Sequence, residues 1–147
     1  MRAIILAAGM GTRLRPLTDN KPKSLVEVAG EAMAERQVRF LKEKGIDDIV
    51  MVVGYQREAF EYLVDRYGVK LVFNEKFDVY NNIYSMYKVR DLLGCSYVLE
   101  GDIYMNKNII DPGISRSTYF SCHKEAFVNE WKLVVDSEDK VSAIDIC

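Results

Sequence analysis

The chain reads as an α/β domain built on a mainly parallel sheet with helices on both faces. Three observations predict this class. Short apolar runs at residues 3–8, 49–54, 69–73 and 96–100 suit strands buried on both sides. Between the first three lie stretches with helical spacing, at 31–44 and 57–67. Glycine closes most of these segments, at positions 45, 54, 68, 94 and 101. Strand–helix alternation implies right-handed crossovers between parallel strands, with binding groups gathered at the strands' carboxyl ends.

The first strand, residues 3–8, breaks at AGMG, and Pro16 and Pro22 make residues 15–24 a loop. In residues 31–44, Ala34, Val38 and Leu41 form one apolar side with Met33 and Phe40 beside it. IVMVVG at 49–54 is the second strand. Ala59, Phe60, Leu63, Val64 and Tyr67 mark a helix over 57–67, before a third strand at 69–73. Asn81 or Asn82 caps a helix running to about Leu93, and SYVLE at 96–100 is a fourth strand that delivers Gly101 and Asp102. After Pro112 the pattern changes: STYFSCH, WKLVVD and VSAIDI read as strands, with a hairpin break at DSEDK, adding mixed or antiparallel strands to the sheet. The apolar strand ending at Cys147 has no covering helix after it, which predicts a fold incomplete at its carboxyl end and leaves a homodimer through that strand open. Residues 1–147 are read as one domain.

Aspartate and glutamate total 22 against 20 lysines and arginines, so no general electrostatic case for nucleic-acid binding exists. Cys95, Cys122 and Cys147 lack disulfide or zinc spacing, and His123 has no partner at ligand spacing. A reducing cytoplasm is the expected compartment. The opening apolar stretch is too short for a membrane span, and no membrane partner is expected.

The basic loop after the first strand raises the functional question. Gly9 and Gly11 permit a tight turn that points N–H groups at an anion, and Arg13, Arg15, Lys21 and Lys23 add charge. Leu14 stands where a dinucleotide fingerprint needs glycine, and no Gly-Lys-Ser or Gly-Lys-Thr follows at P-loop spacing. A turn with a solvated basic loop is the simpler alternative on these residues alone.

Leu6, Ala7, Ala8, Gly9, Gly11, Arg13 and Leu14, followed by Pro22 and Lys23, resemble the opening signature of the sugar-nucleotide pyrophosphorylase-like nucleotidyltransferases. LVFNEKFDVYNNIYSMYKVRD, YVLEGDIY, RSTYF and NEWKLV are similar to the bacterial phosphocholine cytidylyltransferase branch, and the Asn-Asn-x-Tyr-Ser part also to enzymes activating 2-aminoethylphosphonate. The resemblance implies a Rossmann-like nucleotidyltransferase fold. It implies CTP and phosphocholine as substrates, Mg2+ as cofactor, and CDP-choline with pyrophosphate as products. It also implies further chain beyond Cys147, with a second metal-binding aspartate.

By the same resemblance, Arg13 grips the β- and γ-phosphates, Lys23 the α-phosphate, and Asp102 holds the metal. Leu6, Ala7, Ala8, Gly9 and Gly11 lie against the nucleotide, and the corner of Tyr80, Asn81 and Asn82 offers amide groups to base, sugar or acceptor. Trp131 walls the acceptor's quaternary ammonium, a cation attracted to an aromatic face, with Glu130 and Tyr84 beside it. Each has a structural alternative: Asp102 as a turn residue, Asn81 as a helix cap, Trp131 as core packing. Two other readings stay open, a 2-aminoethylphosphonate cytidylyltransferase and a nucleotide-binding module without catalysis.

Overall fold

The computed structural model describes residues 1–121 and 131–146, in two compact units, Met1–Gly113 and Ile114–Cys147. The first unit contains strand β1 (Arg2–Ala7), a small hairpin of β2 (Glu27–Val28) and β3 (Glu31–Ala32), helix α1 (Met33–Glu43) and β4 (Asp48–Val53). Helix α2 (Glu61–Tyr67), β5 (Lys70–Phe73), α3 (Asn82–Lys88) and β6 (Ser96–Glu100) complete it.

The sheet order is β5-β4-β1-β6, and every pairing is parallel. Leu6 of β1 lies opposite Val52 on one side and Glu100 on the other. Because side chains alternate across a strand, one face carries Ile4, Val50 and Val52, packed with Val89 and partly buried Leu6, Val72, Leu92 and Leu93. The alternate residues Ala3, Ile5, Ile49 and Met51 are equally buried, and α1 packs against β1. This double covering explains why the strands are unbroken apolar runs rather than alternating ones. The expected fold class is borne out. The chain leaves β1 through α1 toward β4 and β5, then returns to β6 on the other side of β1, so the connection reverses beside β1. Such switch points open a crevice at the strand ends.

Four element boundaries differ from the sequence expectation. Helix α1 starts at Met33 because Val28 and Glu31 pair across Ala29 and Gly30, whose φ values of 53° and 81° make a two-residue hairpin turn. Arg57–Phe60 form a 3-10 turn before α2. Helix α3 ends at Lys88, where buried Val89 leaves helical geometry, and Arg90–Leu92 continue as a 3-10 turn. Of the strand expected at 117–123, Ser117–Ser121 take no part in a ladder among the described residues, and Cys122 and His123 lie outside them.

In the second unit, β7 (Trp131–Val135) and β8 (Val141–Ile146) form an antiparallel hairpin with a register shift between Val134 and Val135. The DSEDK break closes it: Asp136 Oδ1 accepts from the N–H groups of Glu138 and Lys140, and Asp139 has φ 58°. Among the described residues these two strands make a two-stranded sheet of their own. Cys122, His123, Glu130 and Cys147 lie outside the described residues. Among the described residues no helix is long and apolar enough to cross a membrane.

Candidate active site

The site starts where β1 runs out. The sheet's hydrogen bonding continues past the strand ends: Gly101 N–H donates to Leu6 O at 2.8 Å, and Tyr55 N–H to Ala8 O at 3.2 Å. The start of the glycine turn is therefore fastened on both sides. Gly11 has φ 65°, and a Cβ there would stand 2.7 Å from Cβ of Lys23. Both the backbone conformation and the neighbour demand glycine. Thr12–Leu14 then make a 3-10 turn, and buried Thr18 donates from Oγ1 to Gly11 O at 2.8 Å. The Tyr55 hydroxyl donates to the carbonyls of Thr18 and Asp19, tying down the loop's far limb.

Pro22 leads into a second 3-10 turn, Lys23–Leu25, in which Ser24 and Leu25 are buried and Lys23 projects. Its ammonium lies 2.5 Å from Oδ2 of Asp102, directly beyond β6. Leu6, Ala7, Gly9, Gly11, Arg13, Lys23 and Asp102, all expected site residues, line one cavity of about 220 Å³. Asn82, of the expected Tyr80–Asn82 corner, also lines it, and the sequence reading missed Thr12, Leu14 and Ser24. Their signal was adjacency: all three sit inside or beside the quoted motifs.

The four cations divide. Arg15 pairs with Asp19 at 3.4 Å and Lys21 with Glu27 at 3.2 Å. Arg13 faces the cavity and, among the described residues, takes no ion pair. Two cationic groups thus meet at the cavity wall, one of them held by a carboxylate.

Ala8, Tyr80, Asn81 and Tyr84 do not line the cavity. Asn81 is the cap of α3, its Oδ1 accepting from Ile83 N–H at 3.0 Å. Tyr84 stacks between Tyr80 and Tyr87, at centroid separations of 5.5 and 5.9 Å, with the Lys76 ammonium 5.2 Å from its ring centre. The Tyr84 hydroxyl donates to Glu75 Oε1 and Lys88 Nζ to Oε2. These hydrogen bonds, that from Lys88 foremost, with one from the backbone, hold the Glu75 carboxyl down to about 2. The same carboxylate raises Tyr84 and Lys88 above their ordinary ranges. Trp131, in the second unit, is 71% exposed, so among the described residues core packing does not account for it.

Asp102 suits a divalent cation held mostly by ligand phosphates. It is one half-exposed carboxylate at the cavity wall, and among the described residues no group of three acidic, histidine or cysteine side chains forms a closed cage. Mg2+ commonly binds through one or two carboxylates plus phosphates and water.

An open parallel sheet thus carries a glycine turn, a loop lysine and a strand-end aspartate at its switch point, and the chain belongs to the nucleotidyl transferase family, matched over residues 2–112. The chain is 54% identical over 144 residues to the choline-phosphate cytidylyltransferase of Streptococcus pneumoniae, covering 98% of this chain and 63% of that protein. It is 39% identical over 146 residues to the 2-aminoethylphosphonate cytidylyltransferase of Lancefieldella rimae, covering 97% of this chain and 59% of that one. The solved structure of CTP:phosphocholine cytidylyltransferase from Streptococcus pneumoniae superposes with a TM-score of 0.96 at 53% identity, over 99% of this chain and 64% of that one. The chain thus spans about three fifths of the length of these relatives.

Proposed function

We propose that the protein transfers a cytidylyl group from CTP to phosphocholine, giving CDP-choline and pyrophosphate. The observation that carries this reading is the convergence of Arg13, Lys23 and Asp102 on one cavity at the ends of β1 and β6. It is supported by 54% identity to a choline-phosphate cytidylyltransferase.

A phosphate oxygen of phosphocholine attacks the α-phosphorus of CTP. The bond from that phosphorus to the oxygen bridging the β-phosphate breaks, and pyrophosphate leaves with the electron pair. The nucleophile is already an anion, so the protein need not remove a proton. Its work is alignment and charge compensation. Lys23 neutralises charge growing on the α-phosphate, and Arg13 holds the β- and γ-phosphates. Asp102 would hold Mg2+, which when bound would supply further compensation of phosphate charge. The glycine turn brings the main chain against the nucleotide, where Leu6, Ala7, Gly9 and Gly11 leave room. Ala8, Tyr80 and Asn81 do not line the cavity. For the acceptor, Trp131 offers an aromatic face to the methylated ammonium.

The second reading takes 2-aminoethylphosphonate as acceptor, favoured by 39% identity to an enzyme of that name. The test is pyrophosphate release by the complete protein with CTP or UTP and with each acceptor, before and after chelation of divalent ions. The proposal expects release with CTP and phosphocholine that chelation abolishes. Faster release with the phosphonate selects the second reading, and CTP binding without release from either acceptor leaves a nucleotide-binding module.

A further inference from the structure

We propose that Gln37 of α1 is a positioning residue for the site, holding the turn that carries Asp102; this rests on the reading of Asp102 as a ligand of the metal–nucleotide complex. Gln37 sits in the middle of α1 and is 1% exposed. Its Nε2 donates to Glu100 O and to Ile103 O, each at 2.8 Å. Those two carbonyls bracket Gly101 and Asp102, so one amide spans the turn from end to end. An amide nitrogen has two hydrogens, and both are used. The orientation of the amide follows from its partners, because an oxygen turned toward two carbonyls would be repelled. Oε1 has no partner, and among the described residues it is the one buried side-chain polar atom in that state. Leaving a buried acceptor unpaired is unfavourable. An apolar residue would avoid that cost, but it would also release both carbonyls of the turn.

The neighbouring Arg36 extends the clamp, donating from Nε to Met105 O at 2.6 Å and from Nη2 to Asn106 O at 3.0 Å. Two consecutive residues of α1 therefore pin the segment after β6, and Gln37 holds the part that aims the carboxylate. The Gly101 N–H bond to Leu6 O fixes the same turn from the β1 side. Asp102 reaches Lys23 from a turn held on two sides.

The test measures Mn2+ binding by electron paramagnetic resonance, with and without CTP, on the wild type, Gln37→Met, Val38→Ala and Asp102→Asn. Gln37→Met keeps the volume and removes both donors. Its expected effect is a roughly tenfold or greater loss of Mn2+ affinity in the presence of CTP, with CTP affinity in chelator unchanged. Val38→Ala, a core truncation one residue away, is expected to lower the melting temperature without moving Mn2+ affinity. Wild-type Mn2+ affinity in a folded Gln37→Met overturns the proposal, provided Asp102→Asn loses the metal. If Asp102→Asn binds Mn2+ as the wild type does, the metal reading of Asp102 falls, and this proposal with it. Should Gln37→Met fail to fold, the wild-type Gln37 side-chain amide proton resonances decide. They are expected to shift when Mg2+ and CTP are added together, and unmoved resonances overturn the proposal.

Discussion

The Lys23 ammonium and the Asp102 carboxylate, 79 residues apart in the chain, meet at 2.5 Å across the mouth of the cavity. Each is the other's partner. A cation entering beside Asp102 must displace the lysine, and a phosphate that draws the lysine away frees the aspartate. Lys23→Ala is therefore expected to raise Mn2+ affinity in the absence of nucleotide while lowering turnover about a hundred- to a thousand-fold. Metal titration, circular dichroism and steady-state kinetics on one preparation check this. Full turnover in the variant would remove Lys23 from the chemistry.

Gly11→Ala is expected to act on the same lysine from behind. The new methyl group would need 2.7 Å from Cβ of Lys23, and φ 65° disfavours any L side chain. The backbone cost alone is about 1–2 kcal/mol. A lowered melting temperature together with weakened CTP binding by calorimetry is the expected pair of results, and unchanged CTP affinity would separate the turn from nucleotide binding.

Asn81→Ala distinguishes a cap from a nucleotide contact. As the cap of α3, it is expected to contribute about 1 kcal/mol of stability and little to CTP affinity. Denaturant melts and calorimetry measure the two effects separately, and a loss of CTP affinity well beyond the stability loss would restore a binding role.

Trp131→Ala is expected to leave folding intact, because the ring is mostly exposed. In the complete protein, KM for phosphocholine should rise roughly 2- to 30-fold, the equivalent of one cation–π contact, with KM for CTP unchanged. Equal effects on both substrates would contradict an acceptor-specific role.

Glu75 offers a pH test. Its carboxyl is held at about 2 rather than the usual 4.5, first by Lys88, then by the backbone and Tyr84. A depressed carboxyl favours the folded state above about 4.5, and that contribution is lost as pH falls toward 2. Side-chain carbon chemical shifts should titrate near 2 in the wild type and move up toward 4.5 in Lys88→Ala. A wild-type midpoint at 4.5 would show that the cluster does not hold in solution.

Much of the site was legible because its residues announce themselves locally. Gly11 follows a buried strand, Lys23 follows a proline, and Asp102 ends an apolar run. Gln37 was not legible: a glutamine between apolar neighbours reads as an ordinary polar helix position, and its partners lie 63 and 66 residues away. Asn81 and Asn82 are adjacent and chemically alike, so sequence cannot say which caps and which reaches the cavity. The strand expected at 117–123 is not formed over its described residues, 117–121, for a related reason. Alternation describes a surface able to pair, but the partner must be supplied by tertiary structure.

Arg36 and Gln37 make α1 a member of two assemblies, since the helix that covers the sheet also braces the turn after β6. Local opening of α1 would therefore release the turn that carries Asp102 before the sheet itself came apart. Ligand binding at the strand ends should in turn slow hydrogen exchange along α1. The fraying of that one helix would be enough to loosen the turn, with the sheet beneath it still intact.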